Sequence, residues 1–346
     1  MLLRGRRMLV LSPFPDWPLY GGPVVRIHHL VRHLCRHNRV WWVTRGPLRG
    51  PPPEGLAGHV AGSPQRWLSL FDPLLLARLT HLVRSERLQV VLASSLIAGL
   101  HGACLQALTG GCLILDEHNA EFELRPWVAP VEGWLCRRAE EVWCVSDRDG
   151  QALIRRYGPL RVRQVPNGVD LARMAGPRGS PAELRRRLGL PGGPLALFLG
   201  VMTYAPNREA VDLLLREVAP RLPEVGFVLA GLGSEAWGKA APNVHAVGFV
   251  DDVVDVLRAC DVVVVPLRSG SGTRLKVLEA LAAGRPVVST PKGVEGLHRE
   301  ALGPGLQVED DWSRFAEAVR RALASPSGIP PGLALYDWER LLEVAL

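Results

Sequence analysis

Short apolar runs rich in β-branched residues alternate with segments of helical spacing along the first half of the chain. Met8–Ser12, Val40–Thr44, Gln89–Ala93, Cys112–Asp116, Glu141–Val145 and Arg161–Val165 read as strands, and helical patterns fill most of the gaps. This alternation predicts a parallel sheet covered on both faces. The pattern breaks after Pro166-Asn-Gly-Val-Asp170 into the turn-rich stretch Ala175-Gly-Pro-Arg-Gly-Ser-Pro181, which suits a linker. A second α/β series follows, with strands expected at Leu195–Leu199, Gly226–Ala230, Val244–Val247, Val262–Val265 and Val287–Ser289. An amphipathic helix over Asp337–Leu346 closes the chain after the loop Ser325–Pro331, and no internal repeat is visible. The expected organisation is therefore a first doubly wound domain over 1–170, a linker over 171–183, a second doubly wound domain over 184–328 and a terminal helix within 329–346. Two such domains would face one another across a cleft.

The most informative chemistry lies between the fourth and fifth strands of the second series. Gly270-Ser-Gly-Thr-Arg-Leu-Lys276 places two glycines around Ser271, followed by a helix expected to begin near Thr273. Backbone at Ser271 and Gly272 can approach a ligand closely, and the unpaired N–H groups of the helix start favour an anion. Arg274 and Lys276 add positive charge, while Glu279 can accept hydrogen bonds from hydroxyls. Together they suit a diphosphate beside a polyol. The same residues also suit an ordinary loop-to-helix junction, with Leu275, Val277, Leu278, Leu281 and Ala282 as core. The strand before the loop and the strand after the helix favour the ligand reading, because ligands gather at the carboxyl ends of such strands.

Composition narrows the class. A chain of 346 residues with 47% hydrophobic content can bury two cores. No run approaches the ~18 apolar residues of a membrane span. The start, Met1-Leu-Leu-Arg-Gly-Arg-Arg-Met8, lacks an apolar region before a cleavage site, so a cytoplasmic location is expected. Six cysteines stand singly with no Cys-x-x-Cys pair, which indicates neither a disulfide framework nor a zinc knuckle. Residues 1–168 hold 21 Arg, no Lys and 13 acidic residues, a charge of +8, which leaves −1 of the total +7 for the remainder. Nucleic acid is disfavoured, because the basic residues are scattered, aromatics are only 6% and no reading helix is present. The stretch Arg26, Arg32, Arg36, Arg39 with its histidines, followed by Trp41-Trp42, leaves two readings open: peripheral contact with the inner membrane surface, or solvated charge followed by ordinary strand residues.

Other motifs fall at strand ends. Tyr20-Gly-Gly-Pro23 follows the first strand, where Gly21 and Gly22 can admit a phosphate or sugar, or simply form a turn. Asp116-Glu-His-Asn-Ala-Glu121 follows the fourth expected strand. Asp147-Arg-Asp149 matches an Asp-x-Asp metal pattern, but Ser146 before it reads as a helix cap with acids in the first turn. No metal is therefore expected. A nicotinamide dehydrogenase is disfavoured, since no Gly-x-Gly-x-x-Gly follows the first strand.

In order, Tyr20-Gly-Gly-Pro, Asp116-Glu-His-Asn-Ala-Glu, Val165-Pro-Asn-Gly-Val-Asp170, Val247-Gly-Phe-Val-Asp-Asp252 and Gly270 to Ala283 with Gly-Arg-Pro-Val-Val-Ser-Thr290 resemble the family 4 glycosyltransferases over nearly the whole chain. The loop resembles a subgroup with a Gly-Ser-Gly-Thr-Arg-x-Lys donor loop. The resemblance implies the GT-B architecture and a nucleotide-sugar donor. It also implies transfer with retention to a hydroxyl of a glycan, lipid-linked or small-molecule acceptor, with neither metal nor cofactor. It makes Arg274, Lys276 and His118 candidate catalytic residues, and Gly21, Gly22, Phe249, Ser271, Gly272, Thr273, Arg274, Lys276 and Glu279 candidate donor contacts. Phe249 lines the base pocket or belongs to the core, and Glu121 faces the acceptor or is a helix-start charge. The terminal helix is implied to return to the first domain. Two departures stand out: the first acid of the family's Glu-x7-Glu signature falls on Ser271, and Gly200-Val-Met-Thr-Tyr-Ala-Pro-Asn207 replaces the usual Gly-Arg plus Lys pair. A GT-B nucleotide-sugar epimerase and a non-catalytic sugar-nucleotide-binding protein remain as alternatives.

Overall fold

The computed structural model describes residues 3–19, 21–63, 72–238, 240–270, 274–324 and 328–346. The chain divides into two compact units, Met1–Asn167 with Leu341–Leu346, and Gly168–Arg340.

The first unit is built on a parallel sheet of seven strands, β1 (Arg7–Leu11), β2 (Arg39–Arg45), β3 (Leu56–Gly62), β4 (Val90–Ser94), β5 (Cys112–Glu117), β6 (Glu141–Cys144) and β7 (Val162–Gln164). Their order is β3-β2-β1-β4-β5-β6-β7. The second unit carries six, β8 (Leu195–Leu199), β9 (Gly226–Ala230), β10 (Val244–Gly248), β11 (Val262–Val265), β12 (Val287–Ser289) and β13 (Leu306–Val308), ordered β10-β9-β8-β11-β12-β13. Every pairing in both sheets is parallel. The central strands are buried along their length, as in Val262-Val-Val-Val265, because helices cover both sheet faces. The strand order reverses between β1 and β4 in one sheet and between β8 and β11 in the other. At these points successive connections leave to opposite faces and open a crevice at the carboxyl edge.

Two edge strands escape the hydrophobic pattern. β3, Leu-Ala-Gly-His-Val-Ala-Gly, has little branched apolar content and forms because β2 offers it a ladder. Gly58 is needed there, since a Cβ at this position would lie 2.7 Å from Cδ1 of Trp41. β13 is only three residues long and depends on β12. The stretch expected as a linker is instead packed structure. Leu171–Ala175 and Pro181–Arg187 are helices, the latter opened by a Ser180/Glu183 capping box, and Met174 and Leu184 enter the second core. The last helix runs over Trp338–Ala345. Its final turn is tied to the first unit by Arg4–Glu343 and by Arg163 Nη1 donating to the Ala345 carbonyl at 2.9 Å.

The basic stretch near the start divides into buried and exposed residues. Trp41 and Trp42 are buried strand residues, and Arg26 is fully buried within the helix Gly22–His37, whereas Arg32, Arg36 and Arg39 are exposed. Arg26 is paired with Asp116 at the end of β5, Nη2 to Oδ1 at 2.5 Å, and both side chains are inaccessible to solvent. Its Nε also donates to Asp116, and its Nη1 donates to the Val165 carbonyl at 2.7 Å and to Asn167 Oδ1 at 2.9 Å. Burial alone would raise the Asp116 pKa. The adjacent guanidinium overrides that effect and, with the His118 hydrogen bond, holds the carboxyl well below the usual carboxylate range.

Removing one partner of such a pair strands the other in a dry interior. Arg26→Met is therefore expected to destabilise the first unit by about 3–5 kcal/mol, and Arg26→Met combined with Asp116→Leu by much less. Urea denaturation of the single and double variants checks this; equal losses in the two would contradict it.

Candidate active site

In the second unit, polar groups collect where β8 and β11 lie side by side. The loop after β8 leads into the helix Ala205–Leu213, and the loop after β11 leads into the helix Leu275–Ala282. Asn207, in the first turn of the former, accepts a hydrogen bond at 2.9 Å from Lys276 Nζ, in the first turn of the latter, and bridges the crevice. The amide is aimed by its own Nδ2, which donates to the Val201 carbonyl at 2.9 Å. The Lys276 ammonium also sits 4.5 Å from the centre of the Phe198 ring. The two loops meet at Gly270, whose φ of +98° favours glycine and whose missing Cβ leaves room for the Tyr204 hydroxyl.

Arg274 caps the start of the Leu275–Ala282 helix and is 6% exposed. Its guanidinium donates to the Gly270 carbonyl at 2.8 Å and the Lys292 carbonyl at 3.2 Å, and lies 3.8 Å from Glu295. It thus clamps the loops after β11 and β12 together as well as supplying charge. Glu279, half-buried one turn beyond Lys276, has a raised pKa, with burial as the main cause and the charges of Arg173 and Lys276 opposing it. Burial, then the repulsion of Arg274, pulls Lys276 down to about 7 against the attraction of Glu279. No acid stands in the first turn of this helix. A helix start normally attracts acids; here its first turn carries a cation instead, with Glu295 beside Arg274 and Glu279 further along, which suits an anion at the helix N-terminus. Phe249 follows the end of β10 and is 37% exposed, which removes its core reading. Ser271, Gly272 and Thr273 lie outside the described residues.

In the first unit, the site residues lie beside the buried Arg26–Asp116 pair. His118 Nε2 is 2.9 Å from Ser94 Oγ and 3.2 Å from Asp116 Oδ2, and its ring stacks on Phe14 with centroids 5.7 Å apart. The imidazole is therefore held from three sides at the carboxyl edge of β4 and β5. Gly21 and Gly22 form the cap and first residue of the helix Gly22–His37, which has no acid in its first turn. Glu121 starts the short helix Glu121–Leu124, accepts from Asn119 at 3.3 Å and lies 4.0 Å from Arg125, so it participates in local helix-start contacts. Ser146 caps the helix Asp147–Tyr157 by accepting from the Asp149 N–H, and Asp149 is buried against it. That is the capping arrangement expected of the Asp-x-Asp segment.

Residues 20–173 match the family model described as Glycosyltransferase Family 4, and residues 193–325 match Glycosyl transferases group 1. The two units carry the domains of a glycosyltransferase of the group 1 and family 4 type. Among relatives, the chain is 27% identical to the 2-deoxystreptamine glucosyltransferase of Streptomyces kanamyceticus, over 88% of this chain and 89% of that protein. It is 26% identical to the UDP-Gal:alpha-D-GlcNAc-diphosphoundecaprenol alpha-1,3-galactosyltransferase of Escherichia coli, over 80% of this chain and 77% of that one. Among solved structures, Anabaena Alr3699/HepE in complex with UDP and glucose aligns with a TM-score of 0.73 at 16% identity, covering 98% of both chains. That likeness shows the GT-B fold.

Three residues of this glycosyltransferase carry signals that the sequence reading missed. Asn207 was noted only as the end of a departing motif, yet it is the hydrogen-bond partner of Lys276. Ser95, just past β4, has φ 82° and ψ 164°, backbone values that belong almost solely to glycine, and its hydroxyl is buried without a partner. Its N–H donates to the Asp116 carbonyl at 2.9 Å, so the strained turn sits against the strand that carries the Asp116–His118 segment. Glu117 ends β5 at 1% exposure with Oε1 unpartnered. Burial, then the nearby Glu132, Glu121 and Asp116, raises its pKa well above the ordinary value. The sequence signal for Glu117 was an acid closing a continuous apolar strand.

Because the folded state binds the Glu117 proton more tightly than the unfolded state, this residue lowers stability as pH rises above the ordinary glutamate range. Glu117→Gln is expected to be more stable than wild type at pH 8 by on the order of 1–3 kcal/mol for a relieved buried group, and so to melt higher, and to converge with it near pH 4. Thermal melts across that range provide the check; a pH-independent gap would assign the effect to packing.

Proposed function

We propose that the protein transfers a hexose from a nucleoside-diphosphate sugar to a hydroxyl of a glycan, lipid-linked or small-molecule acceptor. Transfer proceeds with retention and without a metal ion. The observation that carries this reading is the cation pair at the start of the Leu275–Ala282 helix, with Lys276 bridging to Asn207 and no acid in the first turn. When the bond between the sugar's anomeric carbon and the diphosphate breaks, its electron pair passes to the diphosphate oxygen. Lys276, the loop held by Arg274 and the helix N–H groups stabilise that charge in place of a metal. Glu279 receives the ribose hydroxyls, Phe249 covers the base, and the backbone of Ser271, Gly272 and Thr273 lies against the phosphates and sugar.

In the first unit, His118 contacts the transferred sugar or acceptor, Gly21 and Gly22 admit the donor's sugar-phosphate portion, and Glu121 faces the acceptor. The charge of +8 over residues 1–168 supports an anionic or lipid-linked acceptor and peripheral contact with the inner membrane surface. Exposed Trp127 and Trp134, the latter with Arg138 5.7 Å from its ring centre, support the same reading. A relative whose name specifies a diphosphoundecaprenol-linked acceptor is consistent with it.

Lys276→Met is expected to lower transfer by about one and a half to three and a half orders of magnitude, since truncating one member of a buried charge contact removes about 2–5 kcal/mol. The sign of its pH dependence follows from the depressed pKa. The ammonium is present below about 7 and lost above it in the free protein, so donor binding must take up a proton at higher pH. In wild type, kcat/KM should therefore fall as pH rises through about 7, with that limb absent from Lys276→Met. Transfer assays with nucleotide sugars, with and without chelator, measure both. Near-normal rates in Lys276→Met would refute the charge role, loss of activity with chelator and recovery with manganese would refute metal independence, and binding without transfer would favour a non-catalytic binder.

A further inference from the structure

We propose that His33, His37 and Glu343 form a binding site for a zinc-class divalent cation at the edge of the first sheet opposite His118. His33 and His37 are one turn apart on the same face of the helix Gly22–His37, with rings 5.4 Å apart and inclined at 64°. Glu343, on the helix Trp338–Ala345, brings its Oε2 to 3.6 Å from His37 Nε2. One ligand atom from each of the three side chains lies within 4.8 Å of the others.

The independent observation is the state of His33. Its residue is 6% exposed, yet its Nδ1 is buried without a hydrogen-bond partner. Buried polar nitrogens are ordinarily satisfied, and this imidazole, whose ring stands in a cluster with a carboxylate and a second imidazole, keeps one nitrogen without a partner.

The donor set selects the ion. Two imidazoles and one carboxylate favour zinc, or cobalt and nickel as analogues, over magnesium and calcium, which prefer oxygen-rich sites. Ligand atoms at about 2.0–2.1 Å from a tetrahedral zinc lie roughly 3.4 Å apart, so the three groups must close by about an ångström. Half-buried His37 and exposed Glu343 have the rotamer freedom to do this around the fixed His33. Exposure of Glu343 also leaves a fourth position for water. The opposing feature is Arg4, whose Nη2 holds Glu343 Oε1 at 2.5 Å and leaves Oε2 for the ion. Ion binding would fasten the terminal turn Leu341–Leu346 to the first helix and stabilise the first unit.

The test is zinc binding to the full chain, measured by competition with a chromophoric chelator and by thermal unfolding, with cobalt absorption as a geometric readout. Wild type should bind one equivalent and gain about 2–4 °C or more in its first unfolding midpoint when zinc contributes about 1 kcal/mol at a domain of this size. His37→Ala and Glu343→Gln should each bind at least tenfold more weakly and lose the shift. Arg4→Ala should bind more tightly, because it frees the carboxylate. Absence of uptake by wild type, or uptake unchanged in both His37→Ala and Glu343→Gln as expected for cysteine thiols such as exposed Cys104, would overturn the proposal.

Discussion

A parallel sheet covered by helices on both faces has nowhere to place polar chemistry except at its ends, and the rest of this protein follows from that constraint. Strands such as β8 and β11 are apolar throughout because neither face meets water. Polar side chains that must act together therefore sit on the connections leaving the carboxyl edge. The reversal of strand order beside β1 and beside β8 separates neighbouring connections and opens space between them. Asn207 and Lys276 meet across one such opening, and Ser94, Asp116 and His118 meet beside the other.

The two units use charge differently at these edges. In the first, Arg26 and Asp116 are fully buried and nearly neutralise one another, with Val165 and Asn167 accepting from Nη1 of the guanidinium. This closed network holds His118 in one orientation. In the second, Arg274 and Lys276 repel each other, Glu279 gives only partial relief, and the helix dipole adds to the positive potential. This arrangement disfavours the charged form of Lys276, the form that a neighbouring anion stabilises.

Most strands were legible because β-branched runs bounded by turn residues have few other solutions, as β11 and β12 show. β3 and β13 were not, since an edge strand draws its stability from the neighbour that pairs with it more than from its own composition. The stretch around Ala175-Gly-Pro181 has the local composition of a linker, yet Met174 and Leu184 find a core surface to cover. Similarly, Arg26 looked like one more member of a basic surface. Nothing local distinguishes it from Arg32 or Arg36; only its helix phase relative to Asp116, ninety residues away, puts it inside.

By itself, the order of motifs along the chain determined the architecture and the placing of Arg274, Lys276 and Glu279 around the start of one helix after β11, because the patterns that mark strands and a helix start act over a few residues. Tertiary structure alone decided that Asn207 would face Lys276, that Asp116 would be charged while adjacent Glu117 would be driven toward its neutral form, and that His33 and His37 would meet Glu343. Those outcomes depend on desolvation and on charges brought together from distant segments. Such terms exist only once the chain has packed.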